Sequence, residues 1–270
     1  MIRAKRFLEL NINYFVRRRI PTIVYSMERS GSVALFHSLS AHGVFALATH
    51  QLDFEKIQTG RHSGSALWAC KHIVRKRRRA KIISLVRNPI DNMISAFARF
   101  EFLPVGKNHA NGENNLKSTT VEEITNRFRT CYLEQGKYLH QLNWFDSEFK
   151  KALGIDVYHY PFDKEQGYVQ FQEGPYDILI LRTELDAEKK SLVVSSFLDL
   201  ENFKISNAVS GSKIAPGIPG EQSSYGEIYK NFKRRVAVPK EFFDEIVRSQ
   251  YVQHFFTPES LDTTRKRFQR

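Results

Sequence analysis

Between Pro21 and His42 the chain reads PTIVYSMERSGSVALFHSLSAH, and no other stretch limits the possible folds so sharply. After the proline come four residues suited to a buried strand, Thr22 to Tyr25, then a tight polar loop, Ser26 to Ser32. Val33, Leu35, Phe36 and Leu39 follow at spacings that predict a mostly buried helix. A helix that begins directly after such a loop turns unpaired backbone N–H groups, and about half a positive charge, toward any anion held there.

The pattern GxxxxGK[ST] of nucleoside triphosphate loops tests which anion fits. Aligned on Gly31, Ser26 replaces the first glycine, Ser32 the lysine, and Val33 the hydroxyl that would bind magnesium. The shape is kept and the metal chemistry is not. A sulfuryl donor, whose transferred group carries one formal negative charge and needs no magnesium, suits the loop better than ATP.

The rest of the chain predicts an α/β fold, a parallel sheet covered by helices on both faces. Strands are predicted at Gly43–Thr49, Ser65–Lys71 and Lys81–Val86, with a short helix from Gln51 to Gln58. Arg87-Asn88-Pro89 ends the fourth strand and supplies an asparagine cap, with Pro89 in first position and Asp91 in the first turn. A polar loop spans Leu103–Ser118, and Thr120-Val121-Glu122-Glu123 is a capping box opening a long helix to about His140. A further strand is expected at Asp156–Tyr160, paired strands around Glu173-Gly174-Pro175, and a helix at Asp186–Phe197. Residues 206–224 read as a mobile Gly/Ser/Pro loop, and Pro239 and Thr257-Pro258 mark two late helix starts. With 270 residues and no repeat, a single domain is expected.

Lys and Arg exceed Asp and Glu by 41 to 29, so anionic partners are expected. Two cysteines, Cys70 and Cys131, make no disulfide framework, and no metal-ligand spacing is visible, which points to a reducing, cytoplasmic setting and no metal. Residues 1–20 are basic and partly amphipathic, with Phe7, Leu8, Ile12, Phe15 and Val16 between Lys/Arg clusters. They lack the continuous apolar run of a leader or a span. Such a segment either packs on its own domain or rests on an anionic bilayer at the inner face of the membrane.

Arg29-Ser30-Gly31-Ser32 resembles the 5′-phosphosulfate loop of sulfotransferases, in the RSGS form of the carbohydrate enzymes, whose donor is 3′-phosphoadenosine 5′-phosphosulfate (PAPS). Val86-Arg87-Asn88-Pro89-Ile90-Asp91 resembles their VRNPxD segment, which with a serine eight residues after the arginine, here Ser95, binds the 3′-phosphate. Asp177–Leu185 resembles their late strand. Trp144–Asp146, Ile155–Tyr158, Phe162-Asp163 and His254–Thr257 are similar to a bacterial sulfotransferase-like family of capsular polysaccharide synthesis proteins.

The resemblance implies a three-layer P-loop NTPase-like sheet flanked by helices, and a cofactor site of Arg29, Ser30, Gly31, Ser32, Val33, Arg87 and Ser95. PAPS would be the co-substrate, adenosine 3′,5′-bisphosphate the product, and a carbohydrate or glycolipid hydroxyl the acceptor. The glycine-rich 3′-phosphate loop of the family is not recognisable; Lys213 or Lys233–Arg235 are its candidates. Arg29 is expected to stabilise the leaving phosphate, and His72, at the end of the third predicted strand, to take the acceptor proton. His50, ending the second strand, is the rival, and Glu28 is the carboxylate alternative. Competing readings are a nucleotide kinase, opposed by Ser32 and Val33, and a basic polyanion-binding module, supported by the Arg75–Arg79 run. Nucleic acid is not expected, since no nucleic-acid motif is visible.

Overall fold

The computed structural model describes residues 2–60, 63–98, 120–206 and 229–269. They fall into two compact units, one of Met1–Arg87 with Asn143–Val209, the other of Asn88–Leu142 with Ser210–Arg270. The strands are β1 (Thr22–Tyr25), β2 (Ala46–Thr49), β3 (Ala80–Val86), β4 (Tyr168–Glu173) and β5 (Tyr176–Arg182). Helices in chain order are α1 (Ile2–Asn11), α2 (Ser32–Ala41), α3 (Phe54–Thr59), α4 (Gly64–Ala69), α5 (Pro89–Phe97), α6 (Val121–Phe128), α7 (Leu139–Leu142), α8 (Lys151–Leu153) and α9 (Ala187–Leu198).

The first unit is α/β. Its five-stranded sheet has the order β2-β1-β3-β5-β4, parallel except for β4, which pairs antiparallel with β5 at the edge. β1 is buried along its whole length, as a parallel strand covered on both faces must be. On one face Val24, Ile83, Leu179 and Leu181 meet Leu35 and Leu39 of α2 and Val194 and Phe197 of α9. From β1 the chain passes through α2 to β2 on one side, then crosses back to β3 on the other. The carboxyl edge between β1 and β3 is therefore a topological switch point, where α/β sheets leave a crevice.

Two predicted strands are helical. Ser65–Lys71 lies in α4 and a π-helical stretch, Cys70–Val74. Ala66, Ala69, Cys70 and Ile73 are buried at helical spacing, with Trp68 buried beside them, a period that a window ending at Lys71 cuts short, and the Ser63 hydroxyl caps the start by accepting from the Ala66 N–H. Asp156–Tyr160 instead holds a 3₁₀ turn, Val157–His159, because the Asp156 carboxylate accepts from the Tyr158 N–H at 3.1 Å and draws the backbone out of an extended conformation.

The second unit is helical in its described residues. Phe97, Phe128, Tyr132 and Phe232 form an aromatic cluster, and Asn88 both caps α5 and donates to the Thr264 hydroxyl at 2.8 Å. The capping box at Thr120 and Glu123 is present. The long helix expected to run to His140 breaks into α6, a π-helical stretch at Arg129–Leu133 and α7, with Gly136 in the left-handed region at φ 69° between them. The Thr257 cap and Pro258 open a helix to Phe268, and Pro239 precedes another, Lys240–Arg248. The polar loop at 103–118, Lys213, and all of the Gly/Ser/Pro loop but Ser206 lie outside the described residues. No described helix is long and apolar enough to cross a membrane.

Candidate functional site

The loop after β1 is held from three strand ends. Ser26 is fully buried, and its hydroxyl accepts from the Leu85 N–H at 2.8 Å, extending the contact between β1 and β3 past the last backbone pair. The Ser30 hydroxyl donates to the Met27 carbonyl at 2.7 Å and closes the loop on itself. From the end of β3, the Arg87 guanidinium donates to the Arg29 carbonyl at 2.6 Å. Beyond β5, the Thr183 hydroxyl donates to the Ser30 carbonyl at 2.7 Å, and its own N–H to the Val86 carbonyl at 2.8 Å.

This bracing holds an uncommon backbone. Arg29 lies in the left-handed region at φ 63°, costly for a residue with a Cβ, and Gly31 follows at φ 93° as the N-cap of α2. No side chain caps α2, whereas Asp53, Ser63, Asn88, Thr120 and Asp186 cap α3, α4, α5, α6 and α9. The first N–H groups of α2 are therefore left without a side-chain cap at the positive end of the helix, beside the mouth of that crevice. Val33, expected in a buried face, is 47% exposed at this mouth.

His50 follows β2 and reaches the same loop. Its Nδ1 lies 2.6 Å from the Ser26 carbonyl. A carbonyl only accepts, so Nδ1 carries a proton, and in the neutral ring the lone pair is on Nε2. The Trp144 indole donates to the His50 carbonyl at 3.3 Å and fixes the backbone.

His72 is placed elsewhere. It ends no strand; it lies in the π-helical stretch that precedes the amino end of β3, edge-on to Phe15, which precedes the amino end of β1, and against Trp68. Burial holds its pKa below the ordinary imidazole value, with Lys71, Lys76 and Arg78 adding to the effect. The structure thus brings Arg29 to Val33, Arg87 and His50 to one strand edge and leaves His72 at the other. Ser95 is buried in α5, in the second unit.

Glu148 was not singled out in the sequence. It is nearly inaccessible, and one carboxylate oxygen accepts from the Tyr25 hydroxyl at 2.8 Å and from the Leu52 and Asp53 N–H groups at 2.7 and 3.0 Å. The other oxygen meets Lys56 Nζ at 2.9 Å. Burial first, and Glu148 second, push the Tyr25 phenol well above its ordinary pKa, so it stays a donor. This network ties the end of β1 to the segment after His50. The sequence signal was faint, a glutamate among the aromatic residues Trp144, Phe145 and Phe149 with Asp146 and Ser147 beside it.

In the second unit a cavity of about 590 Å³ is lined, among the described residues, by Lys230, Lys233, Arg234, Arg235 and Arg267. Arg235 is ion-paired with Glu122, and Arg267 lies 3.6 Å from Asp91. Lys233–Arg235, one candidate for the unrecognised 3′-phosphate loop, line this cavity.

Among known proteins, the family model described as "NKWYS: Putative capsular polysaccharide synthesis protein" matches residues 132–257. No curated protein and no solved structure matches the chain. Over that stretch, which includes Glu148, β4, β5 and Thr183, the chain is similar to a family named for polysaccharide synthesis.

Proposed function

We propose that the protein is a sulfotransferase that moves a sulfuryl group from PAPS to a hydroxyl of a carbohydrate or glycolipid. The observation that carries this reading is the braced loop after β1, with its glycine-capped, side-chain-free helix start, its left-handed Arg29 and an imidazole anchored through Nδ1. Backbone N–H groups of Ser30 to Val33 and the Arg29 cation suit a 5′-phosphosulfate, and Arg87 a second phosphate. Similarity to a polysaccharide synthesis family supports a glycan acceptor.

His50 takes the place of His72 as the base. Its Nε2 accepts the hydroxyl proton as the acceptor oxygen bonds to sulfur and the bond from sulfur to the 5′-phosphate oxygen breaks. The electron pair leaves with adenosine 3′,5′-bisphosphate, whose charge is met by Arg29 and the start of α2. The position of Val33, where a triphosphate loop carries its magnesium hydroxyl, supports a donor that needs no metal. Two free thiols, Cys70 and Cys131, fit a cytoplasmic setting.

The test is incubation with sulfur-labelled PAPS and fractionated glycan and glycolipid acceptors. Label transferred to a glycan, and lost in Arg29→Ala, supports the reading. No transfer, together with thermal stabilisation by ATP only when magnesium is present, would replace it with the kinase reading.

A further inference from the structure

The amino-terminal helix docks by one side and leaves an apolar stripe on the other. One side docks: Leu10 is 1% exposed, Asn13 is buried, the Arg6 guanidinium donates to the Ala46 carbonyl at 3.1 Å, and Asn11 accepts from the Trp68 indole at 2.9 Å. The opposite side carries Leu8, Ile12, Phe15 and Val16, spaced to form one stripe along α1 and the π-helical stretch Ile12–Val16. Leu8 is 60% and Val16 73% exposed. Of the ten large apolar side chains exposed among the described residues, six lie between positions 7 and 20, so this is a patch and not scattered residues.

The patch has a basic border. Arg17, Arg18 and Arg19 follow it directly and are exposed. The Arg78 guanidinium lies 5.7 Å from the Tyr14 ring centroid, and Phe15 packs edge-on to His72, so the second basic run, with exposed Lys71, Arg75, Lys76, Arg77 and Arg79, adjoins the stripe. Glu9 is the one acid on α1, and it is paired with Arg6.

We propose that this face of the first unit rests on an anionic bilayer, with Leu8, Ile12, Phe15 and Val16 in the boundary between headgroups and acyl chains and the two basic runs against lipid phosphates. An apolar stripe between clusters of Lys and Arg is the arrangement by which a helix lies in the plane of a charged membrane. β1 separates this face from the braced loop, because the helix enters the amino end of the strand and the loop leaves its carboxyl end. The bilayer therefore meets the sheet edge opposite the candidate site. The proposal does not depend on which group that site transfers.

The test is flotation of the full chain with phosphatidylcholine vesicles, with and without phosphatidylglycerol, at low and high salt. Binding is expected only to the anionic vesicles and to weaken with salt. The double substitution Leu8→Glu and Val16→Glu, at solvent-exposed positions, should lower partitioning by about tenfold or more at unchanged circular dichroism. Lys71→Gln with Lys76→Gln should lower it less and flatten the salt dependence. Absence of binding, or binding that the glutamate variant leaves intact, overturns the proposal. So does a concentration-dependent dimer of the wild type that the glutamate variant abolishes, which would assign the face to a second copy of the chain.

Discussion

His50 and His72 ask the same question of one residue type in two surroundings. If His50 Nε2 takes the acceptor proton, His50→Ala should lower turnover by about 10²-fold while donor affinity stays near wild type, because general-base catalysis commonly contributes about 10²–10⁴-fold. His72→Ala should leave turnover within a few-fold and act on stability, since the ring packs between Phe15 and Trp68. Steady-state kinetics beside equilibrium donor binding separates the outcomes, and a large turnover loss at His72 would reverse the assignment. Glu148→Ala should destabilise by about 3–5 kcal/mol, toward the lower figure because Lys56 keeps access to water, as measured by denaturant unfolding. Asp156 supplies a pH signature. The Lys150 ammonium at 2.7 Å is the main cause holding its carboxyl below the usual range, so the stabilisation is complete above about pH 4 and is lost as pH falls through the folded value. Asp156→Asn should make the acid limb of a stability–pH profile shallower while costing at most about 1 kcal/mol at neutral pH, as for an exposed pair.

At the scale of elements, α2 and its loop are the part most open to test by ligand. Adenosine 3′,5′-bisphosphate without magnesium should raise the melting temperature, adding about 2.7 kcal/mol at a hundredfold its dissociation constant, and ATP with magnesium should do much less. Gly31→Ala should lose most of that shift. A Cβ there meets nothing closer than Thr183 Cγ2 at 3.6 Å, so the obstacle is the left-handed backbone, at about 1 kcal/mol or more. A shift kept in full by this variant would remove the loop from the binding site. This element was legible because each of its signals is local: the proline before β1, the glycine at the turn, the apolar run of α2. Asn88, Thr120, Asp186 and Thr257 were legible for the same reason, since a cap acts within three residues of itself. The bracing by Thr183, the Glu148 network and the position of His72 were not. Each depends on residues distant in sequence, and for His72 an apolar run of helical period, shortened by one turn, reads as a strand.

For the whole molecule the decisive feature is the way the chain is threaded through its two units. The first is left at Arg87 and re-entered at Asn143, while the second takes the intervening segment and the chain after Val209. β3 and β5 are neighbours in the sheet, with Ala80 opposite Tyr176, a residue 96 positions further along the chain. Contacts between such distant partners form late, because the loop between them must first be closed. The slow step of refolding should therefore be the joining of β5 to β3. Mutations that loosen this pairing, such as Leu179→Ala, should slow refolding in stopped-flow experiments more than mutations within α2 of equal equilibrium cost. Truncation will be uninformative for the same reason. A fragment ending at Arg87 loses β4 and β5, and one beginning at Asn143 loses β1, β2 and β3, so neither unit can be dissected by cutting the chain once, and during synthesis the sheet stays unfinished until residues beyond Arg182 have emerged.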